Sequence, residues 1–191
     1  MKKEDALDIL RKSGAMLEGH FRLTSGLHSN RYMQCAQLFK SPEYSRILCE
    51  DLVKKFEGTK IDLVVGPAMG GMIMAYEVAR QMGVPNIFAE RENGVMTFRR
   101  GFKVPEGAKA LITEDVVTTG GSVREVMKLV EEAGAEIVAV GVVVDRSEGA
   151  VDFGVPMQAV LSMKVEAFKP EECPLCKEGV PVVKPGSRPV K

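Results

Sequence analysis

The sequence predicts an α/β fold, a doubly wound and mainly parallel sheet flanked by helices. Three observations carry that expectation. Short apolar segments alternate with stretches of helical spacing from residue 61 to residue 163, and the connections between them are short. The segment EIVAVGVVVD (136–145) is apolar on both faces, as a strand at the centre of a parallel sheet must be. Two of the strand-to-helix connections, GPAMGG and TTGGS, are rich in glycine, and ligands of such sheets bind beyond the carboxyl ends of the strands.

The elements follow in order. Residues 4–12 (EDALDILRK) place Ala6, Leu7 and Leu10 on one face, which predicts a short amphipathic helix. Ser41 and Pro42 read as N-cap and first helical position, followed by Ile47, Leu48, Leu52, Val53 and Phe56 at helical spacing and by Gly58 as the stop. IDLVVGP (61–67) is a buried strand, and GMIMAYEVARQMG (71–83) a helix ended by Gly83 and Pro85. NIFAE (86–90) and KALITED (109–115) are strands; GSVREVMKLVEEAG (121–134) is a helix closing on Gly134. After the strand at 136–145, MQAVLSM (157–163) is the last. There is no internal repeat and no low-complexity segment.

A chain of 191 residues suggests one domain with a small appendage, and 45% hydrophobic residues suffice for its core. The 26 basic and 26 acidic residues cancel, which argues against nucleic acid as a partner, since phosphate-backbone binding draws on a basic surplus. The longest apolar run, Ile137 to Val144, is too short to cross a bilayer, so no membrane role is expected. The opening MKKEDALDILRK has no apolar core of a secretory signal, and the expected location is the cytoplasm.

The chemistry concentrates in LITEDVVTTGGSV (111–123). An apolar strand stops at Glu114 and Asp115, two acids that repel one another unless they meet hydroxyl donors or a cation. Val116 and Val117 bridge to Thr118, Thr119, Gly120, Gly121 and Ser122, small residues that open a helix and so form a phosphate cradle. The ending Gly-Lys-Ser/Thr of the nucleoside-triphosphate loop is missing. A ribose 5-phosphate has both parts this stretch would hold, two adjacent hydroxyls and a phosphate, with Mg2+ available to share the acids' charge. The second glycine connection, around Ala68, Met69 and Gly70, offers backbone donors to a second anionic group. The two loops together suggest a sugar phosphorylated at both ends.

Residues 91–104 (RENGVMTFRRGFKV) have no clear periodicity but carry Arg91, Arg99 and Arg100, as a mobile lid over an anion site or as a solvated basic hairpin. Asp145-Arg146 ends the most apolar strand, where an arginine is either a surface ion-pair partner or a fork for a planar anion. Cys173 and Cys176 form CPLC, a spacing that suits a zinc knuckle or a redox pair. No second CxxC and no histidine stands near it in the chain, so the expectation is a pair of cysteines in a proline-rich turn; two subunits supplying a pair each is the zinc alternative.

LITEDVVTTGGS resembles the phosphoribosyl-diphosphate signature of the type I phosphoribosyltransferases. FRLTSGLHSNRYM (21–33) resembles the N-terminal F-x-L-x-S-G-x-x-S segment of the orotate phosphoribosyltransferases, VVGPAMGG their diphosphate loop and VVVDRSEG their Asp-Arg strand end. CPLCKEGVPVVKPGSR is similar to the tail of one bacterial and archaeal branch. The resemblance implies a single domain with an N-terminal hood (1–40), a core sheet (60–165) and an extended tail (170–191). It implies transfer of ribose 5-phosphate from 5-phosphoribosyl 1-diphosphate to orotate, with Mg2+, in UMP biosynthesis. Glu114 and Asp115 would then meet the ribose hydroxyls, and Thr118 to Ser122 the 5-phosphate, with Val116 and Val117 in the same segment. Ala68, Met69, Gly70 and Arg91 would bind the diphosphate, and Arg99 and Arg100 would act in catalysis from the lid. Thr118, Arg146, Tyr32 and Met33 would surround orotate. A homodimer whose lid reaches the neighbouring subunit is implied too. The chain departs from the family at Thr24 and at Met69-Gly70, where many members carry lysine, and at Arg99 and Arg100, where lysines and a histidine are usual. The rival readings are transfer to another base, against which segment 21–33 and Arg146 count, and a non-catalytic sensor of phosphoribosyl diphosphate.

Overall fold

The computed structural model describes residues 1–23 and 25–185; Thr24 and the end of the predicted tail, 186–191, lie outside the described residues. Helix α1 (Lys3–Lys12) buries Ala6 and Leu10, one turn apart on its apolar face. Strands β1 (Met16–Arg22) and β2 (His28–Met33) then pair antiparallel as a sheet of their own. A 3-10 turn at Cys35–Lys40 leads into α2 (Pro42–Lys54), where the Ser41 hydroxyl accepts from the Tyr44 N–H and Pro42 fills the first turn. The rest alternates as β3 (Leu63–Pro67), α3 (Gly70–Met82), β4 (Asn86–Glu92), β5 (Val95–Phe98), β6 (Lys109–Val117), α4 (Gly121–Glu132), β7 (Glu136–Asp145) and β8 (Met157–Ser162). A one-turn helix, α5 (Pro174–Lys177), lies in the tail.

The main sheet has the order β5-β4-β3-β6-β7-β8, parallel throughout except for the edge strand β5. The chain enters at β3, winds outward to β4, and returns to the other side of β3 as β6. That reversal puts the switch point between β3 and β6, where the two glycine loops leave the sheet.

The strands are apolar on both faces because both faces are covered. Val64, Leu111 and Val143 pack with α1, α2 and α3, while their neighbours Val65, Ile112 and Val142 pack with α4 on the opposite side. Helix α4 buries Val123, Val126, Met127 and Val130, spaced three and four apart, each worth roughly 1.5–3 kcal/mol when fully buried. No helix among the described residues is long and apolar enough to cross a membrane.

Two segments add to the expected elements. Of the two readings of residues 91–104, the hairpin is the one observed over 91–98: β4 runs on to Glu92 and pairs with β5. Asn93 and Gly94, both at positive φ (52° and 85°), make the two-residue turn that matches strand twist. The first 33 residues contain a hairpin as well as a helix. Phe168 bridges to His28 and Val183 to Phe21, so the tail lies along that hairpin.

Candidate active site

Strand β6 delivers Glu114 and Asp115 to the carboxyl edge of the sheet. The Asp115 N–H donates to Glu114 Oε1 (3.1 Å), and the Val116 N–H donates to Asp115 Oδ1 (2.8 Å). Burial, and then the charge of Asp115, hold Glu114 well above the usual carboxylate range. Burial raises Asp115 too. Two desolvated carboxylates side by side are therefore short of positive charge and of hydrogen-bond donors.

The β3 loop meets this pair directly. A Cβ on Gly70 would stand 2.5 Å from the Asp115 carboxyl carbon, and one on Gly71 would stand 3.0 Å from Glu114 Oε1. Only a residue without a side chain lets the loop come this close. The Ala68–Met69 peptide within it is cis. Ala68 and Met69 are exposed, so the loop's outer backbone is open to a ligand.

Through Val116 and Val117, the last residues of β6, the chain enters a cavity of about 250 Å3. Its lining brings together Arg91, Glu114, Val116, Val117 and Thr118 to Ser122, all expected at the site, and adds Val123 and Glu125. Gly120 turns the chain into α4 at φ 76°, with the Phe153 ring 2.7 Å from where its Cβ would be. Thr118 and Thr119 are exposed around it, and the N-terminus of α4 faces the same space.

Arg91 is held in this cavity by an ion pair with Glu125, and its Nη1 donates to the Gly94 carbonyl (2.8 Å). Glu125 was not foreseen. Its place one turn into α4, three residues after Ser122, is the signal that could have found it.

Arg146 lies next to the Thr118–Ser122 loop, its N–H donating to the Val117 carbonyl (2.8 Å). It does not pair with Asp145. That carboxylate accepts from the Ser147 N–H and hydroxyl (2.7 and 2.6 Å), the Gly149 N–H (2.9 Å) and the Ser162 hydroxyl (3.1 Å), which shape the following turn. Among the described residues, Nε of Arg146 is buried without a hydrogen-bond partner. Burial lowers the Arg146 pKa, an effect Cys35 and Tyr32 partly offset. Tyr32 also lines a second cavity with Leu17, Gln34 and Gln37, whereas Met33 packs into the core below.

Arg99 and Arg100 stay outside the cavity. Arg99 pairs with Glu92 (3.3 Å) and Arg100 with Glu90 (3.0 Å), and both are exposed on the β4–β5 edge. The antiparallel pairing of β5 carries the chain away from Arg91 and accounts for this.

Residues 36–153 match the model of the phosphoribosyl transferase domain. The chain is 56% identical over 190 residues to the orotate phosphoribosyltransferase of Pelotomaculum thermopropionicum, covering 100% of both. It is 54% identical over 188 residues to that of Caldanaerobacter subterraneus, covering 98% of this chain and 99% of the relative. Among solved structures, the orotate phosphoribosyltransferase of Aeropyrum pernix superposes with a TM-score of 0.70 at 26% identity, covering 82% of this chain and 92% of that one. The Leishmania donovani UMP synthase shares the fold, with a TM-score of 0.71 at 24% identity, covering 85% of this chain and 37% of that one. With a domain match across more than half its length and relatives more than half identical from end to end, the chain belongs to the phosphoribosyl transferase domain family, in its orotate phosphoribosyltransferase branch.

Proposed function

We propose that this chain transfers ribose 5-phosphate from 5-phosphoribosyl 1-diphosphate to orotate, giving orotidine 5'-phosphate and diphosphate in UMP biosynthesis. The observation that carries the reading is the pairing of a ribose-phosphate cradle with a half-buried arginine whose Nε has a donor to spare. Thr118 to Ser122 and the start of α4 hold the 5-phosphate. Glu114 and Asp115 accept from the two ribose hydroxyls, which supply the donors the raised acids lack. The backbone of Ala68, Met69 and Gly70 receives the diphosphate. Arg91 turns to the diphosphate from Glu125. Arg146 forks onto the orotate carboxylate and adjacent ring oxygen, with Thr118, Tyr32 and Met33 around the ring.

The reaction breaks the bond between the anomeric carbon and diphosphate and joins that carbon to a ring nitrogen of orotate. Positive charge grows on the sugar and negative charge on the leaving group, so placement and electrostatics suffice without a covalent nucleophile. The adjacent hard oxygens of Glu114 and Asp115, desolvated and short of positive charge, fit a divalent ion held jointly with substrate oxygens. Bound there, Mg2+ neutralises charge on the diphosphate.

The molecule works as a homodimer in the cytoplasm. Met69, Ile73 and Tyr76, exposed by 73%, 38% and 60%, form an apolar stripe along one face of α3 that suits a partner subunit. Arg99 and Arg100, outside their own cavity, act in the partner's. The same reading divides the single domain into a hood at 1–40, a core sheet at 60–165 and a tail at 170–191, the last six residues of which lie outside the described residues.

A turnover assay with orotate, uracil, adenine and hypoxanthine side by side tests this. Orotate alone should be consumed at an appreciable rate. Preference for another base would replace the substrate, and no turnover with any base would favour the sensor reading.

A further inference from the structure

The tail and the N-terminal hairpin meet at four side chains that the reaction does not use. His20 of β1, His28 of β2, and Cys173 and Cys176 of the CPLC turn place their ligand atoms all within 4.8 Å of one another. His20 Nε2 is 2.8 Å from His28 Nδ1, 3.5 Å from Cys173 Sγ and 3.7 Å from Cys176 Sγ. Cys176 Sγ is 3.2 Å from His28 Nδ1. In a tetrahedral zinc site, bonds of about 2.3 Å to sulfur and 2.0–2.1 Å to nitrogen set ligand-to-ligand separations of roughly 3.3–3.8 Å. The 3.5 and 3.7 Å separations fall in that range, the 2.8 and 3.2 Å separations lie below it by up to about half an ångström, and no two ligand atoms are more than 4.8 Å apart, so small side-chain shifts complete a tetrahedron.

The hydrogen bonding gives an independent reason. His20 Nδ1 is 2.7 Å from the Val180 carbonyl, an acceptor only, so Nδ1 carries the proton and Nε2 presents its lone pair. That lone pair faces three other groups, and one proton can sit in only one of the gaps. A cation at the centre satisfies all four at once. The Val180 carbonyl then acts as the outer partner that fixes the tautomer and aim of a metal-bound histidine. His20, His28 and Cys173 are buried, and both cysteines are free thiols rather than a disulfide. The sequence hid this because the ligands lie about 150 residues apart: the fold, not the spacing, supplies the histidines.

We propose that His20 Nε2, His28 Nδ1, Cys173 Sγ and Cys176 Sγ form a structural Cys2His2 zinc site that fastens the tail to the N-terminal hairpin within one chain. Two thiols and two neutral imidazoles bind Zn2+ with release of two protons, giving an uncharged site. All four positions are filled by protein, so the ion is structural, and the thiolates separate it from the oxygen-bound Mg2+ of the reaction. Backbone bonds already run between the same segments, from the Val183 N–H to the His20 carbonyl and from the His28 N–H to the Phe168 carbonyl, both 2.8 Å. The metal locks that register.

The test uses the full chain. As purified it should hold about one zinc per chain after dialysis against Mg2+. X-ray absorption should show two sulfur and two nitrogen neighbours at the distances above. Co2+ added to the zinc-free chain should give the intense visible bands of a tetrahedral ion with thiolate charge transfer. A Cys173→Ser/Cys176→Ser variant should lose these bands, and His20→Asn should weaken binding by at least roughly tenfold, the lower end for loss of a ligand's outer partner alone. Should the variants misfold, the unaltered chain decides. Absence of zinc with an octahedral Co2+ spectrum overturns the proposal, and so does a metal retained by the double cysteine variant.

Discussion

Arg146→Ala gives the sharpest test of base recognition. In the folded chain the guanidinium is already desolvated, and its Nε lacks a partner among the described residues. Orotate's carboxylate and neighbouring ring oxygen would fill that deficit with two charge-assisted hydrogen bonds, each worth roughly 1.5–3 kcal/mol. Losing both should cost about 3–6 kcal/mol, or roughly 10² to 10⁴ in kcat/KM for orotate, at 1.36 kcal/mol per factor of ten. KM for phosphoribosyl diphosphate should barely move, because the bond from Arg146 to the Val117 carbonyl is main chain and survives the substitution. Stability should change little as well: removing an unpaired buried charge offsets the lost packing of its stem. Steady-state kinetics with each substrate varied in turn, together with a thermal melt, separate the outcomes. An orotate KM within a factor of two of the parent would refute the role. Equal weakening of both substrates with a lowered Tm would mark Arg146 as structural. Arg146→Lys should recover only part of the loss, since a point charge cannot make the planar fork.

Glu114→Gln should lower turnover yet raise the Tm of the ligand-free protein at neutral pH by ~2–4 °C if about 1 kcal/mol of the cost of holding Glu114 protonated is relieved, read by calorimetry. Glu114 titrates above its unfolded value, so the folded chain holds a proton the unfolded chain has released; stability of the parent should fall as pH rises from about 4.3 toward the folded pKa, and the variant should flatten that slope. Gly120→Ala combines positive φ with a clash against Phe153, and should destabilise by about 1–3 kcal/mol in a denaturant titration while weakening use of phosphoribosyl diphosphate. Chelation of divalent metal should suppress turnover by orders of magnitude, with Mg2+ alone restoring it; full activity in excess chelator would remove the metal from the reaction.

What the sequence disclosed was local. The strand at 136–145 matches β7 residue for residue, because a run apolar on both faces with β-branched side chains has few alternatives. The cradle at 118–122 was legible because glycines between an apolar strand and a helical period admit few conformations. The hairpin at 91–98 was one of two readings the arginines left open, and Asn93-Gly94 is the turn signal that favours it. Other features were not legible in principle. No spacing rule joins His20 to Cys173, pairs Arg91 with Glu125, or leaves Arg146 Nε without a partner, since each depends on which surfaces the sheet brings together.

The meeting of the two glycine loops explains why this site should bind its substrate cooperatively with its own folding. The absence of side chains at Gly70 and Gly71 lets the diphosphate loop press on Glu114 and Asp115, and that approach excludes the water which would otherwise solvate them. The loop thus helps to raise the acids that a ribose and a cation would later satisfy. Binding at one loop relieves a cost imposed by the other, so 5-phosphoribosyl 1-diphosphate with Mg2+ should raise the Tm more than ribose 5-phosphate and diphosphate do when each is present alone at the same multiple of its Kd. Separate ligands giving the same shift as the intact one would show that the loops act independently and that the raised acids play no part in substrate capture.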